Sequence, residues 1–155
     1  MALPAKFANL SGEWKGTRCV YLHGESGPMK ASPSRMTIAK TVRNACALLI
    51  YTWKYEIDPQ EGMLLLAFDE KQNVATAAWS DSWHMNEKIM FCTGANGAGD
   101  IIDVRGTYAA PPEPDWGWRI QMSVPDARSL TMAMFNIAPD NTEHVAVRAE
   151  YARDP

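Results

Sequence analysis

The residues best equipped for chemistry cluster in Trp79-Ser80-Asp81-Ser82-Trp83-His84, where a carboxylate, hydroxyls and an imidazole stand among tryptophans. If this segment ends a strand at an open rim, the two-residue period sends Trp79 and Asp81 to one side, and Trp83 follows while the chain stays extended. Asp81 can then orient a histidine or accept a ligand hydroxyl beside a tryptophan wall. The plainer alternative is a turn in which Asp81 and Ser82 satisfy free backbone amides.

Ser82, His84 and Asp81 lie together in sequence, but a catalytic triad is an arrangement in space, and no G-x-S-x-G elbow exposes the serine. A small-molecule hydrolase or isomerase using Asp81 and His84 is therefore an alternative without an assigned catalytic set. His23, His84 and His144 are the whole histidine supply, and no pair has H-E-x-x-H spacing, so no metal site is expected. Arg18, Arg105, Arg119 and Arg148 each fall within an expected strand. An arginine pointing inward would grip a ligand carboxylate through two N–H groups. Arg119 lies opposite the Trp116, Trp118 and Ile120 face and is expected to meet solvent.

The elements that must position these groups are short runs of β-formers broken by turns. The chain is organised on Gly12-Glu13-Trp14-Lys15-Gly16-Thr17-Arg18-Cys19-Val20-Tyr21. Gly12 and Gly16 let the backbone bend or pass closely under a neighbour, and Trp14 supplies an apolar plug at one end. A strand is expected from Glu13 to Leu22, followed by Arg35 to Val42, Cys46 to Ile57, Met63 to Asp69 and Val74 to Ser80. Further strands run from Glu87 to Cys92, Ile101 to Tyr108, Trp116 to Val124, Leu130 to Ile137 and Glu143 to Tyr151. Leu49, Tyr51, Trp53 and Tyr55 share one face of the third, and Trp116, Trp118, Ile120, Met122 and Val124 one face of the eighth.

Asn44, Asp58-Pro59-Gln60-Glu61-Gly62 and Asp69-Glu70-Lys71-Gln72-Asn73 read as turns, and Thr93 to Asp100 as a flexible turn lacking the setting of a phosphate loop. The segment from Gly24 to Pro33, rich in Gly, Pro and Ser, reads as a loop over an open end and the best candidate for a lid. Pro111-Pro112-Glu113-Pro114-Asp115 reads as a stiff crossing near one rim. Residues 3–10 read as an amphipathic turn with Phe7 and Leu10 over one mouth. No helical period is sustained, and no internal repeat appears.

A chain of 155 residues is long enough for one core or one barrel with a cavity. A net charge of -3 gives no general attraction to nucleic acid or an acidic membrane. Cys19, Cys46 and Cys92 are odd in number and far apart, which suits core or wall positions in a reducing compartment. The N-terminus shows neither a signal peptide nor a membrane span, so a cytoplasmic location is the default. The 6 tryptophans and 9 methionines suit an irregular apolar pocket, although a barrel filled by its own side chains would use the same residues.

The chain resembles an uncharacterised, mainly bacterial family of lipocalin-like (calycin-type) β-barrels of unknown function. The resemblance rests on Leu10-Ser11-Gly12-Glu13-Trp14-Lys15-Gly16, Leu64-Leu65-Leu66-Ala67-Phe68-Asp69 and Ala78-Trp79-Ser80-Asp81-Ser82-Trp83, with Leu130-Thr131-Met132-Ala133-Met134-Phe135 and Val147-Arg148-Ala149-Glu150-Tyr151. It implies the fold and a small apolar ligand, with no catalytic set to carry over. More distantly the chain is similar to nitrobindins, haem-binding barrels opening on G-x-W-x-G-x-G. Gly12, Trp14 and Gly16 match that pattern, but Arg18 replaces the next glycine, and His144 is the only late-strand histidine available to a haem iron.

The expectation is therefore a single all-β domain over residues 1–155, with a cap at 1–11 and a calycin-like antiparallel meander barrel of about ten strands over 12–152. Its expected role is to bind a small, mainly apolar or amphipathic molecule in the interior, with Trp14, Arg18, Trp53, Trp79, Asp81, His84, Trp118, Met132 and Met134 as the contact set. No cofactor is expected, haem at His144 being the exception the distant resemblance raises. Neither nucleic acid nor membrane is an expected partner. A filled barrel that self-associates, as a homodimer, is the structural alternative.

Overall fold

The structure, a computed structural model, describes residues 5–95 and 101–155. A one-turn helix, α1 (Ala5–Ala8), leads into strands β1 (Gly12–Tyr21), β2 (Met29–Thr41), β3 (Cys46–Tyr55), β4 (Asp58–Asp69) and β5 (Val74–Asp81). These are followed by β6 (Met90–Ala95), β7 (Ile101–Ala110), β8 (Glu113–Asp126), β9 (Ser129–Ile137) and β10 (Glu143–Asp154). All pairings are antiparallel between sequence neighbours, and β10 returns to β1, closing the barrel. The fold is thus the all-β closed meander that the spacing of β-formers predicts.

Closure depends on Gly16. A side chain there would place its Cβ 1.7 Å from the carbonyl oxygen of Glu150, so only glycine lets β1 and β10 meet at this point. Alternation does the rest: Leu49, Tyr51 and Trp53 of β3, and Trp118, Ile120, Met122 and Val124 of β8, are all buried on the inner face.

One end of the barrel is plugged. Phe7 and Leu10 are buried over it, and Trp14 Nε1 donates to the Leu10 carbonyl at 2.9 Å. The Arg153 guanidinium lies 4.6 Å from the centre of the Trp14 ring and donates to the carbonyls of Ser11 and Asn9 at 2.9 and 2.6 Å. The cap expected from Phe7 and Leu10 is therefore tied down by cation–π contact and hydrogen bonds.

Several boundaries differ from the sequence expectation. The proposed lid over Gly24–Pro33 is corrected, because β2 begins at Met29 and only residues 22–28 form the connection. Pro33 is accommodated because it is exposed, pairs with Thr17 of β1, and lies beyond the β2–β3 ladder, which begins at Arg35 and Thr52. Asp58–Gly62 is strand rather than turn. The turn is Glu56-Ile57, with Glu56 at φ 56°, between the paired Tyr55 and Asp58.

Likewise β6 covers Met90–Ala95 rather than Glu87–Cys92, so Thr93 and Gly94 belong to a strand, while residues 96–100 of the expected turn lie outside the described residues. Gly94 allows this, since a Cβ there would fall 1.8 Å from the Asp103 carbonyl oxygen of β7. The stiff crossing shrinks to Pro111-Pro112, and Glu113, Pro114 and Asp115 open β8.

The β6–β7 seam is the weak join of the wall. Among the described residues only Thr93 and Arg105 are in register, whereas β7 and β8 pair from Ile101 to Tyr108. The ladder is not continued toward Met90 and Tyr108. A surface cleft of ≈ 950 Å³ lies there, lined by His84, Met85, Ile89, Met90, Thr107 and Tyr108.

Candidate functional site

The site grows from Tyr51, whose ring crosses over Gly62 on the neighbouring strand. A Cβ on Gly62 would lie 2.1 Å from the ring carbon Cζ, so the missing side chain makes the ring's position. Its hydroxyl donates to Asp81 Oδ2 at 2.9 Å and accepts from Trp79 Nε1 at 3.0 Å and from Arg18 Nη2 at 3.4 Å. Burial pushes the phenol up, so it remains protonated and can donate.

Asp81, the last residue of β5, is buried and heavily solvated by the protein. Oδ2 also accepts from Trp53 Nε1 at 3.2 Å, while Oδ1 accepts from the amides of Trp83 and His84 at 2.9 and 3.1 Å. His84 Nδ1 lies 3.1 Å from the same Oδ1. Burial raises the carboxyl, but the hydrogen bonds from His84, with the charge of Arg18, outweigh it and hold Asp81 below the usual carboxylate range. Both sequence readings of Asp81 hold together: it satisfies the turn's amides and it orients a histidine.

An ionised Asp81 can only accept, so His84 Nδ1 carries the hydrogen and Nε2 keeps its lone pair. Burial pulls the imidazole below its ordinary value against the opposing pull of Asp81, and favours this neutral form. His84 Nε2 has no partner within the described protein. It is not among the buried orphans either, which are Arg18 Nε and Trp118 Nε1, so it reaches solvent at the cleft.

Rings enclose the imidazole. Its centre lies 4.7 Å from Trp83, 5.4 Å from Trp118, and 6.0 Å from both Trp53 and Trp79. Trp79 and Trp118 stack at 5.1 Å and 11°, and Tyr55 stacks on Trp83 at 5.0 Å. Trp53 on β3 and Trp118 on β8 stand on opposite sides of the closed sheet, so His84 occupies the middle of the unplugged mouth.

Below it Arg18 fills the barrel axis, fully buried. Its guanidinium lies 4.3 Å from the Tyr51 ring centre and 5.5 Å from that of Trp53, while Nη1 and Nη2 approach the Met132 and Met134 sulfurs at 4.0 and 3.8 Å. Nη2 is 3.8 Å from Asp81 Oδ2, and Nε has no partner. Burial disfavours the charge, but Tyr51, Tyr151 and Asp81 outweigh it and Arg18 stays protonated. Trp14, Arg18, Tyr51, Trp79, Met132 and Met134 all have 0% exposure, so no water-sized void touches them.

Of the residues singled out in sequence, the fold brings together Arg18, Trp53, Trp79, Asp81, His84, Trp118, Met132 and Met134. Trp14 does not join them, being part of the plug at the other end. Tyr51 and Trp83 lie outside the expected contact set, although Trp83 belongs to the Trp79–His84 cluster and Tyr51 shares the inner face of β3 with Trp53. Ser82 is no partner for His84: its hydroxyl donates to Gln60 Oε1 at 2.6 Å and accepts from the Glu61 amide at 3.0 Å. Arg119 faces outward as expected, paired with Asp103 and Glu143.

His144 is exposed at the start of β10 beside His23 and Gly24. Among the described residues no group of three His, Cys, Asp or Glu is placed to hold a metal ion. No helix among them is long and apolar enough to cross a membrane.

The fold is similar to the crystal structure of Rv2717c from M. tuberculosis, with a TM-score of 0.66 and 13% identity over 100% of both chains. A redesigned β-barrel is also similar, with a TM-score of 0.52 and 12% identity over 100% of both chains. These likenesses concern the fold alone. No curated protein sequence matches. The family model of a protein of unknown function (DUF1579) matches residues 5–153, and the chain belongs to that family.

Proposed function

We propose that the protein binds a small, mainly apolar molecule at the unplugged mouth, in the cleft between the β5–β6 connection and the end of β7. The observation that carries this is His84: a neutral imidazole held by Asp81, walled by four tryptophans, with its free nitrogen at a ≈ 950 Å³ cleft. Sites of this kind combine an apolar wall with a few fixed polar groups. The deeper interior beside Met132 and Met134 is filled by Arg18, which supports a ligand above the guanidinium rather than around it.

The test is native mass spectrometry of freshly purified protein beside the same sample denatured. A small-molecule mass retained natively and lost on denaturation is the expected result. Ile89→Lys, which brings a charge to the cleft at a position already 55% exposed, should abolish it. Bare chain mass in every native preparation overturns the reading.

A further inference from the structure

Resting on that binding site, we infer the class of its ligand: a neutral molecule that presents a hydroxyl, alcoholic or phenolic, on an apolar body, and donates its hydrogen to His84 Nε2. The chain of cause begins at Asp81. Its Oδ1 also accepts from two backbone amides, so it cannot swing away, and an acceptor so fixed dictates which imidazole nitrogen carries hydrogen. The nitrogen left toward the cleft is a pure acceptor. A carboxylate would meet it lone pair to lone pair, and an ether or ketone would offer it nothing.

The rim of the cleft carries other acceptors, on Ser82, Asn86, Glu87 and Thr107, but the immediate surroundings of the imidazole are aromatic. Rings of Trp53, Trp79, Trp83 and Trp118 pack around the imidazole, and Met85 and Met90 continue the apolar lining. The titratable and charged groups facing His84 are Asp81 beneath it, Arg18 and Tyr51 deeper in the barrel, and Glu87, Lys88 and Tyr108 around the cleft. Asp81 and Arg18 offset one another, so the interior behind His84 carries no net charge to recruit an ion.

The test compares 4-propylphenol with its methyl ether by titration calorimetry on the whole protein. The ether carries a methyl group in place of the hydrogen that His84 would accept. At pH 7.5 the phenol should bind roughly five- to tenfold tighter, the worth of one hydrogen bond. This preference should vanish in His84→Phe, which keeps a ring but no acceptor. In the unmodified protein it should also fall toward unity on acidification below the ordinary histidine value of about 6.5, once Nε2 acquires a hydrogen. That arm does not depend on the variant folding. Equal binding of both probes at pH 7.5 overturns the hydroxyl assignment and leaves the binding site standing. Binding of neither overturns both.

Discussion

The Arg18 guanidinium sits over the face of Tyr51, 4.3 Å from its ring centre, while its nearest approach to the Asp81 carboxylate is 3.8 Å. The buried pair is thus joined more by an intervening phenol than by direct contact, because the Tyr51 hydroxyl touches both members. A cation on a ring face gains from the quadrupole, and a carboxylate with a full set of donors needs no bidentate partner. The geometry leaves the two charges unequally dependent on each other.

That inequality is measurable. Asp81→Ala removes the acceptor of the Tyr51 hydroxyl, of Trp53 Nε1, of the Trp83 and His84 amides and of His84 Nδ1, and strands a buried cation. It should cost about 3–5 kcal/mol. Arg18→Met leaves Asp81 with all those donors and removes the orphaned Nε, so it should cost less. The double variant should be more stable than Asp81→Ala alone, with a coupling of about 1–3 kcal/mol in a urea-denaturation cycle. Simple additivity would show that the two charges do not sense each other.

Gly62 is the second lever. Its Cβ would fall 2.1 Å from Tyr51 Cζ and 2.2 Å from the hydroxyl, which forces the ring off its position over β4. Gly62→Ala should cost about 1–3 kcal/mol by overpacking. Most of that cost should disappear when Tyr51→Leu is already present, because the obstructing ring is gone. Equal cost in both backgrounds would locate the strain in the β4 backbone instead.

The parts of this site that could be read in sequence are those set by local period. Leu49, Tyr51 and Trp53 alternate without interruption, and Asp81 reaches His84 across three residues, so their neighbourhood follows from short-range geometry. Arg18 beneath them depends on how β1, β3 and β5 meet across the barrel, which no local pattern encodes. Pro33 and Gly94 misled for the opposite reason: their types announce turns. One sits where the neighbouring ladder has not begun, and the other where β7 must come close.

Acid should dismantle the site in two steps. The folded pKa of His84 lies below its ordinary value near 6.5, so the unfolded chain takes up that proton first. The stability that His84 contributes is complete above about pH 6.5 and is lost as pH falls through the lower folded value. Asp81, also depressed, contributes stability that is complete above its ordinary 3.8 and is lost on further acidification, with Asp126, Asp140 and Asp154 acting in the same direction. The urea midpoint should therefore be level above neutrality and then fall in an upper and a lower stage. His84→Phe should erase the upper stage and, by removing a hydrogen bond that holds Asp81 low, trim the lower one, and Asp81→Asn should shrink the lower one. A midpoint that climbs between pH 7 and pH 5 would mean that the imidazole is charged in the folded barrel, and the Asp81-fixed neutral form would have to be abandoned.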